Sequence, residues 1–270
     1  MKAIVITPIG PLMAEPRPDC ERTDEALAGM VVELGERRDE YVKATTEYGY
    51  TGYIPKACLL EDELQSCDWA GRTLRQVTRA ALDVMAEPRV QSWTLETLPR
   101  GARLFELDRQ QGWSRVELPD GRQGYARASG LGTRPETPWQ QRDAMELRSD
   151  LARTALSYRG TQYRWGGKTP WGIDCSGLCS MAYLLQGIMI YRDADVRPGY
   201  PIHEIGMDRI GQGDLLFFPG HVALYLGDGR YVHATAAEGS DGVVVNSLRP
   251  GDPDFREDLF SSVTMVGSLF

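Results

Sequence analysis

Cys175 stands in the run Asp174-Cys175-Ser176-Gly177, and two of the three histidines in the chain, His221 and His233, follow it in apolar runs. A thiol, a base and a third group that orients the base make an activated nucleophile. Leu178, Met181, Ala182 and Leu185 recur at helical spacing, which predicts a buried helix starting at or just after Cys175. Asp174 suits the N-cap and sets the cysteine in the first turn. A helix N-terminus and a neighbouring imidazolium both pull a thiol below its free pKa of about 8.5, so an activated thiolate is expected.

His221 lies in Gly213–Leu226 and His233 in Gly229–Ala234, joined by the hairpin signal Gly227-Asp228-Gly229. Paired strands bring the two imidazoles side by side, one orienting the other. Three blander readings stay open on these residues alone: a small core cysteine, structural histidines, or a zinc held by Cys175 and the two histidines. No Cys-x-x-Cys or His-x-x-x-His spacing supports a metal, so none is expected, and no cofactor either. Cys179 reads as a core residue one turn deeper, and His203 as a surface or loop residue.

The elements around these residues divide the chain. Ala144, Leu147, Leu151, Ala155 and Tyr158 fall on one helical face and open a domain over 139–270. Before it lies a repeat: Met13-Ala14-Glu15-Pro16-Arg17 returns as Met85-Ala86-Glu87-Pro88-Arg89, and the same shift of 72 carries Gly29 to Gly101, Tyr41 to Trp113, Gly52-Tyr53 to Gly124-Tyr125 and Leu59 to Leu131. Short alternating runs, Val31–Leu34 with Tyr41–Ala44 and Arg103–Leu107 with Trp113–Val116, predict small β-barrels over 1–62 and 63–135. Asp62–Ala80 reads as a polar connection with a possible helical turn, and Thr133–Pro138 as a second linker.

Composition sets limits. A hydrophobic share of 42% with 25% charged residues describes a chain able to bury a core. The net charge of −8 disfavours nucleic acid and anionic membranes as partners, and weakly disfavours anionic wall polymers. Five irregularly spaced cysteines do not read as a disulfide framework. Only Ala3–Ile6 is apolar before Thr7-Pro8, short of the roughly 7–15 residues of a signal peptide, so a cytoplasmic protein is expected.

Gly52, Tyr53, Ile54 and Leu59, with Gly124, Tyr125, Ala126 and Leu131, resemble the late strand of bacterial SH3 domains. The blocks Tyr163-Arg164-Trp165-Gly166-Gly167, Asp174-Cys175-Ser176-Gly177, Gly213–Phe218, His221–Gly227 and His233-Ala234 resemble, in order, those of the NlpC/P60 peptidases. That resemblance implies an α+β fold: a papain-like catalytic domain preceded by two small all-β SH3-like barrels. It implies cleavage of bacterial cell-wall peptides, with Cys175 as nucleophile, His221 as general base and acid, and His233 orienting His221. Tyr163 matches a tyrosine beside the nucleophile, whose hydroxyl helps hold an oxyanion with a backbone N–H near Cys175.

The domain arrangement further resembles the γ-D-glutamyl-L-diamino acid endopeptidases of that family. The resemblance implies a murein peptide with a free N-terminal L-Ala as substrate, cleaved after γ-D-Glu in cell-wall peptide recycling. Arg192-Asp193-Ala194 matches a block in which the aspartate meets the ammonium group. Tyr50, whose counterpart in the repeat is Arg122, is the expected pocket-wall hydroxyl, and Glu25 a second group for the amine. Asp174 and Ser176 are expected near the dipeptide, and Arg192 at the D-Glu carboxylate. Where the branch carries Gln, Arg197 stands here, ahead of Pro198-Gly199-Tyr200-Pro201. Two rival readings are a secreted hydrolase gripping intact wall through the SH3-like pair, and a non-enzymatic wall-binding adaptor.

Overall fold

The computed structural model describes residues 1–270. Met1–Arg134 and Pro135–Phe270 form two compact units. The first holds two seven-stranded antiparallel sheets. One runs in the order Arg22–Leu27, Ile9–Met13, Thr51–Pro55, Tyr41–Thr45, Val31–Arg38, Lys2–Val5, Leu59–Leu60. The other has the same order, and each of its strands begins 72 residues after its counterpart: Thr94–Pro99, Ala81–Met85, Gln123–Arg127, Trp113–Glu117, Arg103–Gln110, Leu74–Val77, Leu131–Thr133.

The stretch between the copies holds a helix where a helical turn was expected, and departs from a plain connection in its second half. Glu63–Gly71 is a helix whose N-cap Asp62 accepts from Gln65 N–H, and Leu74–Val77 is already a strand of the second sheet. That strand is only four residues long and pairs with Arg103–Phe105, a partner remote in sequence. The two sheets are locked together. Trp69 donates its indole N–H to the Gly29 carbonyl at 3.0 Å, and Ala28 belongs to the apolar cluster of the second sheet. Gly29 has a φ of +78°, and a Cβ there would lie 2.4 Å from the Arg103 carbonyl oxygen, so only glycine fits.

In the second unit, the helix Ala144–Leu156 starts at Asp143, whose carboxylate accepts from Glu146 N–H. Leu147, Leu151, Ala155 and Tyr158 are buried as the periodicity predicts, while Ala144 is exposed in the first turn. This helix packs on the helix Cys175–Leu184. That second helix in turn lies on a six-stranded antiparallel sheet ordered His203–Ile205, Met265–Ser268, Leu215–Phe218, His221–Gly227, Arg230–Thr235, Gly242–Ser247. His203 is exposed at the edge strand. No helix is long and apolar enough to cross a membrane.

Candidate active site

Cys175 is the first residue of its helix, and Asp174 caps it: Oδ1 accepts from Gly177 N–H at 2.5 Å. The second carboxylate oxygen accepts from Gly166 N–H at 2.8 Å, tying the Trp165-Gly166-Gly167 turn to the helix start. Gly177 is required by contact: a Cβ would sit 2.2 Å from the Gly167 carbonyl oxygen. The helix start is thereby pressed onto the preceding loop. The backbone N–H groups of Val222 and Ser176 act on the Cys175 thiol and lower its pKa, which links the helix start to the start of the His221 strand.

Arg192 takes a different place from the one expected of it. It is 1% exposed and grips Asp174 in a bidentate pair, 3.1 Å from each guanidinium NH2 group to a carboxylate oxygen. The same two groups also reach Ser176 Oγ at 2.6 Å and the Gly167 carbonyl at 3.4 Å. Both guanidinium NH2 groups are thus engaged within the protein. Arg192 and Asp174 therefore hold the helix start to its loop; neither presents a group to a ligand carboxylate.

The hairpin turns through Asp228 and Gly229, both with positive φ, as a two-residue turn demands. Alternation along its strands puts His221 and His233 on one face as diagonal neighbours. Their rings stand edge to face with centroids 5.0 Å apart, and His221 Nε2 lies 2.8 Å from His233 Nδ1. The other nitrogen of His233 lies 2.9 Å from Asn246 Oδ1, on the third strand. Three of the four ring nitrogens of the pair are occupied by these contacts, which leaves His221 Nδ1 alone for the thiol. A cation held by both imidazoles would have to displace them.

Burial governs the charges. It pushes the Cys175 thiol up to about 11, helped by the Asp174 carboxylate, and this outweighs the Val222 and Ser176 N–H groups and Arg192. Burial also pulls His221 down to about 3, with His233 adding to it, and His233 down to about 4. Burial thus works against the expected resting thiolate and favours the thiol with neutral imidazoles. Tyr163 is pushed up to about 12, first by burial and then by Cys175 and Asp174, so its hydroxyl remains a proton donor close to the sulfur. Cys179 is buried and its thiol is raised by burial, as a core residue.

A cleft runs from Ser176 and Val222, the chain neighbours of Cys175 and His221, to Asp193, Tyr191, Asp195, Arg197 and Tyr200. Burial and then the Asp193 carboxylate raise the pKa of the Tyr191 hydroxyl. Arg197 lies over the Tyr191 ring at 5.2 Å and pairs with Asp195 at 3.0 Å. Asp193 and Ser176 thus line one cleft, together with Cys179 and Val222. Tyr50 and Glu25 belong to the first unit, where Tyr50 N–H donates to Thr46 Oγ1 and Glu25 is buried and paired with Arg22 at 3.0 Å. Asn246 was not among the residues the sequence singled out; a lone Asn closing the run Gly242-Val243-Val244-Val245 was its only signal.

Helix-borne cysteine, antiparallel sheet and histidine pair define a class: the chain belongs to the NlpC/P60 family, which residues 160–252 match. Similar to the whole of it is dipeptidyl-peptidase 6 of Lysinibacillus sphaericus, 43% identical and aligned over 100% of both chains. A γ-D-glutamyl-L-lysine dipeptidyl-peptidase of Bacillus cereus is 27% identical over 82% of this chain and 69% of its own. The crystal structure of an NlpC/P60 family protein from Bacillus cereus superposes with a TM-score of 0.79 at 22% identity, covering 98% of each chain, and so shares the fold.

Proposed function

We propose that this chain is a cysteine peptidase that cuts the γ-D-Glu–L-diamino acid bond of murein peptides with a free N-terminal L-Ala. The observation that carries the reading is the thiol at a helix start, backed by an imidazole whose partner nitrogens are all assigned. Full-length likeness to a dipeptidyl-peptidase supports the peptide class. In this reading Cys175 gives its proton to His221 Nδ1 as sulfur attacks the γ-carbonyl carbon. The oxyanion is met by the Tyr163 hydroxyl and the Cys175 N–H, free of an intrahelical partner at the helix start. The imidazolium then protonates the departing amine, leaving a thioester. Water, deprotonated by His221, hydrolyses it and frees the thiol.

Asp193 is the group proposed for the substrate ammonium, with Ser176 beside the dipeptide. The free thiols of all five cysteines suit the reducing cytoplasm, the proposed location. The test is hydrolysis of L-Ala-γ-D-Glu-L-Lys against its N-acetyl form. Release of L-Ala-γ-D-Glu from the free-amine peptide alone is expected, and its loss in Cys175→Ala. Equal cleavage of both peptides would remove the amino-terminal specificity.

A further inference from the structure

The hydrogen bonds of the histidine pair do not end at His233. Asn246 Oδ1 takes His233 Nε2 at 2.9 Å, and Asn246 Nδ2 donates to the Asp254 carbonyl at 2.8 Å. That carbonyl can only accept, so it fixes which end of the amide is which. The oxygen must face His233, and His233 Nε2 must carry a proton. A neutral imidazole has one N–H, so His233 Nδ1 is an acceptor. His221 Nε2 then has to donate to it, and His221 Nδ1 is left with a bare lone pair. Every proton in the chain of contacts follows from one backbone carbonyl.

That carbonyl is itself built in. Ser247 N–H donates to it at 3.1 Å, and the Ser247 hydroxyl takes Asp252 at 2.6 Å. Arg230, on the strand of His233, holds the Asp254 carboxylate at 2.6 Å. Asn246 is 7% exposed. We infer that Asn246 is a positioning residue for the reaction: anchored by the Asp254 carbonyl, it sets the tautomers of His233 and His221 so that His221 meets the Cys175 thiol as a base. The inference rests on the reading of Cys175 and His221 as the reacting pair.

The experiment has two arms. In the first, protein labelled with ¹⁵N-histidine is read by NMR; with only three histidines in the chain, His221→Gln and His233→Gln assign the signals. Wild type is expected to show both His221 and His233 as Nε2–H tautomers. An Nδ1–H proton on either ring overturns the inference, whatever any variant does. In the second arm, Asn246→Leu is expected to lower kcat on the tripeptide by about 100-fold with KM changed less than about twofold, and to mix the tautomers. Asn246→Asp keeps the acceptor and is expected to recover at least about tenfold of that loss. If Asn246→Leu fails to fold, the comparison of wild type with Asn246→Asp and the wild-type tautomers decides. Unchanged tautomers and unchanged kcat in a folded variant sink the inference. Failure of the peptidase reading itself is distinct: Cys175→Ala would then leave hydrolysis untouched.

Discussion

Arg192 and Asp174 meet as a bidentate pair inside the protein, and the same carboxylate caps the helix that carries Cys175. The pair couples the position of the candidate nucleophile to a residue 17 positions away, counted from 175 to 192. Removing the guanidinium leaves a buried carboxylate without its counter-charge. Arg192→Met is expected to destabilise the fold by about 3–5 kcal/mol, because breaking one side of a buried pair strands the other charge. Thermal melting checks it. A variant of wild-type stability with only a raised KM would instead make Arg192 a ligand-binding group.

Asp174→Asn tests the electrostatics of the same contact. Burial and then the Asp174 charge hold the Cys175 thiol high, while Arg192 pulls it down. Taking away the charge removes a raising influence and leaves the guanidinium unopposed, so the thiol pKa must fall. In wild type, alkylation by iodoacetamide is expected to keep accelerating with pH through 9, without a plateau near neutrality. In Asp174→Asn the same curve shifts to lower pH. A wild-type plateau below pH 7 would show a resting thiolate–imidazolium pair and reject the neutral resting site.

Asp193 lies in the cleft with Ser176, and its proposed partner is the substrate ammonium. Asp193→Asn is expected to raise KM for the free-amine tripeptide by about 10–100-fold, the worth of one charge-assisted hydrogen bond of about 1.5–3 kcal/mol. Its effect on an N-acetyl peptide, which has no charge there, should be small. An equal loss on both peptides would place the role of Asp193 in the fold.

Much of this was legible in the residues. The repeat could be read because one shift of 72 relates every strand pair, so matching side chains recur in register. Cys175 and the histidines were legible through helix spacing and the hairpin turn, both local. Lys2–Val5 and Leu74–Val77 were not, since strands of four residues fix no period and their partners lie far along the chain. The role of Arg192 was hidden for a related reason. A cation that binds a ligand and one that fills a buried pair are spelled alike, until the lone pairs of Asp174 are accounted for. Asn246 joins the site only because strand pairing sets it opposite Tyr231 and diagonal to His233.

The histidines also make the stability pH-dependent. Both are buried and depressed in the fold, His221 to about 3 and His233 to about 4, against about 6.5 in an unfolded chain. Between those limits the unfolded chain binds more protons, so stability falls as pH falls. The contribution is complete above about pH 6.5 and is lost downward towards pH 4, at roughly 1.4 kcal/mol per pH unit for each imidazole. Urea midpoints measured from pH 7 to pH 5 should therefore drop. His233→Gln should flatten the slope, whereas His203→Gln, at the exposed sheet edge, should leave it as it is. A wild-type midpoint constant over that range would mean that the pair carries a proton in the folded state, with Cys175 as the nearest thiol to have given it up.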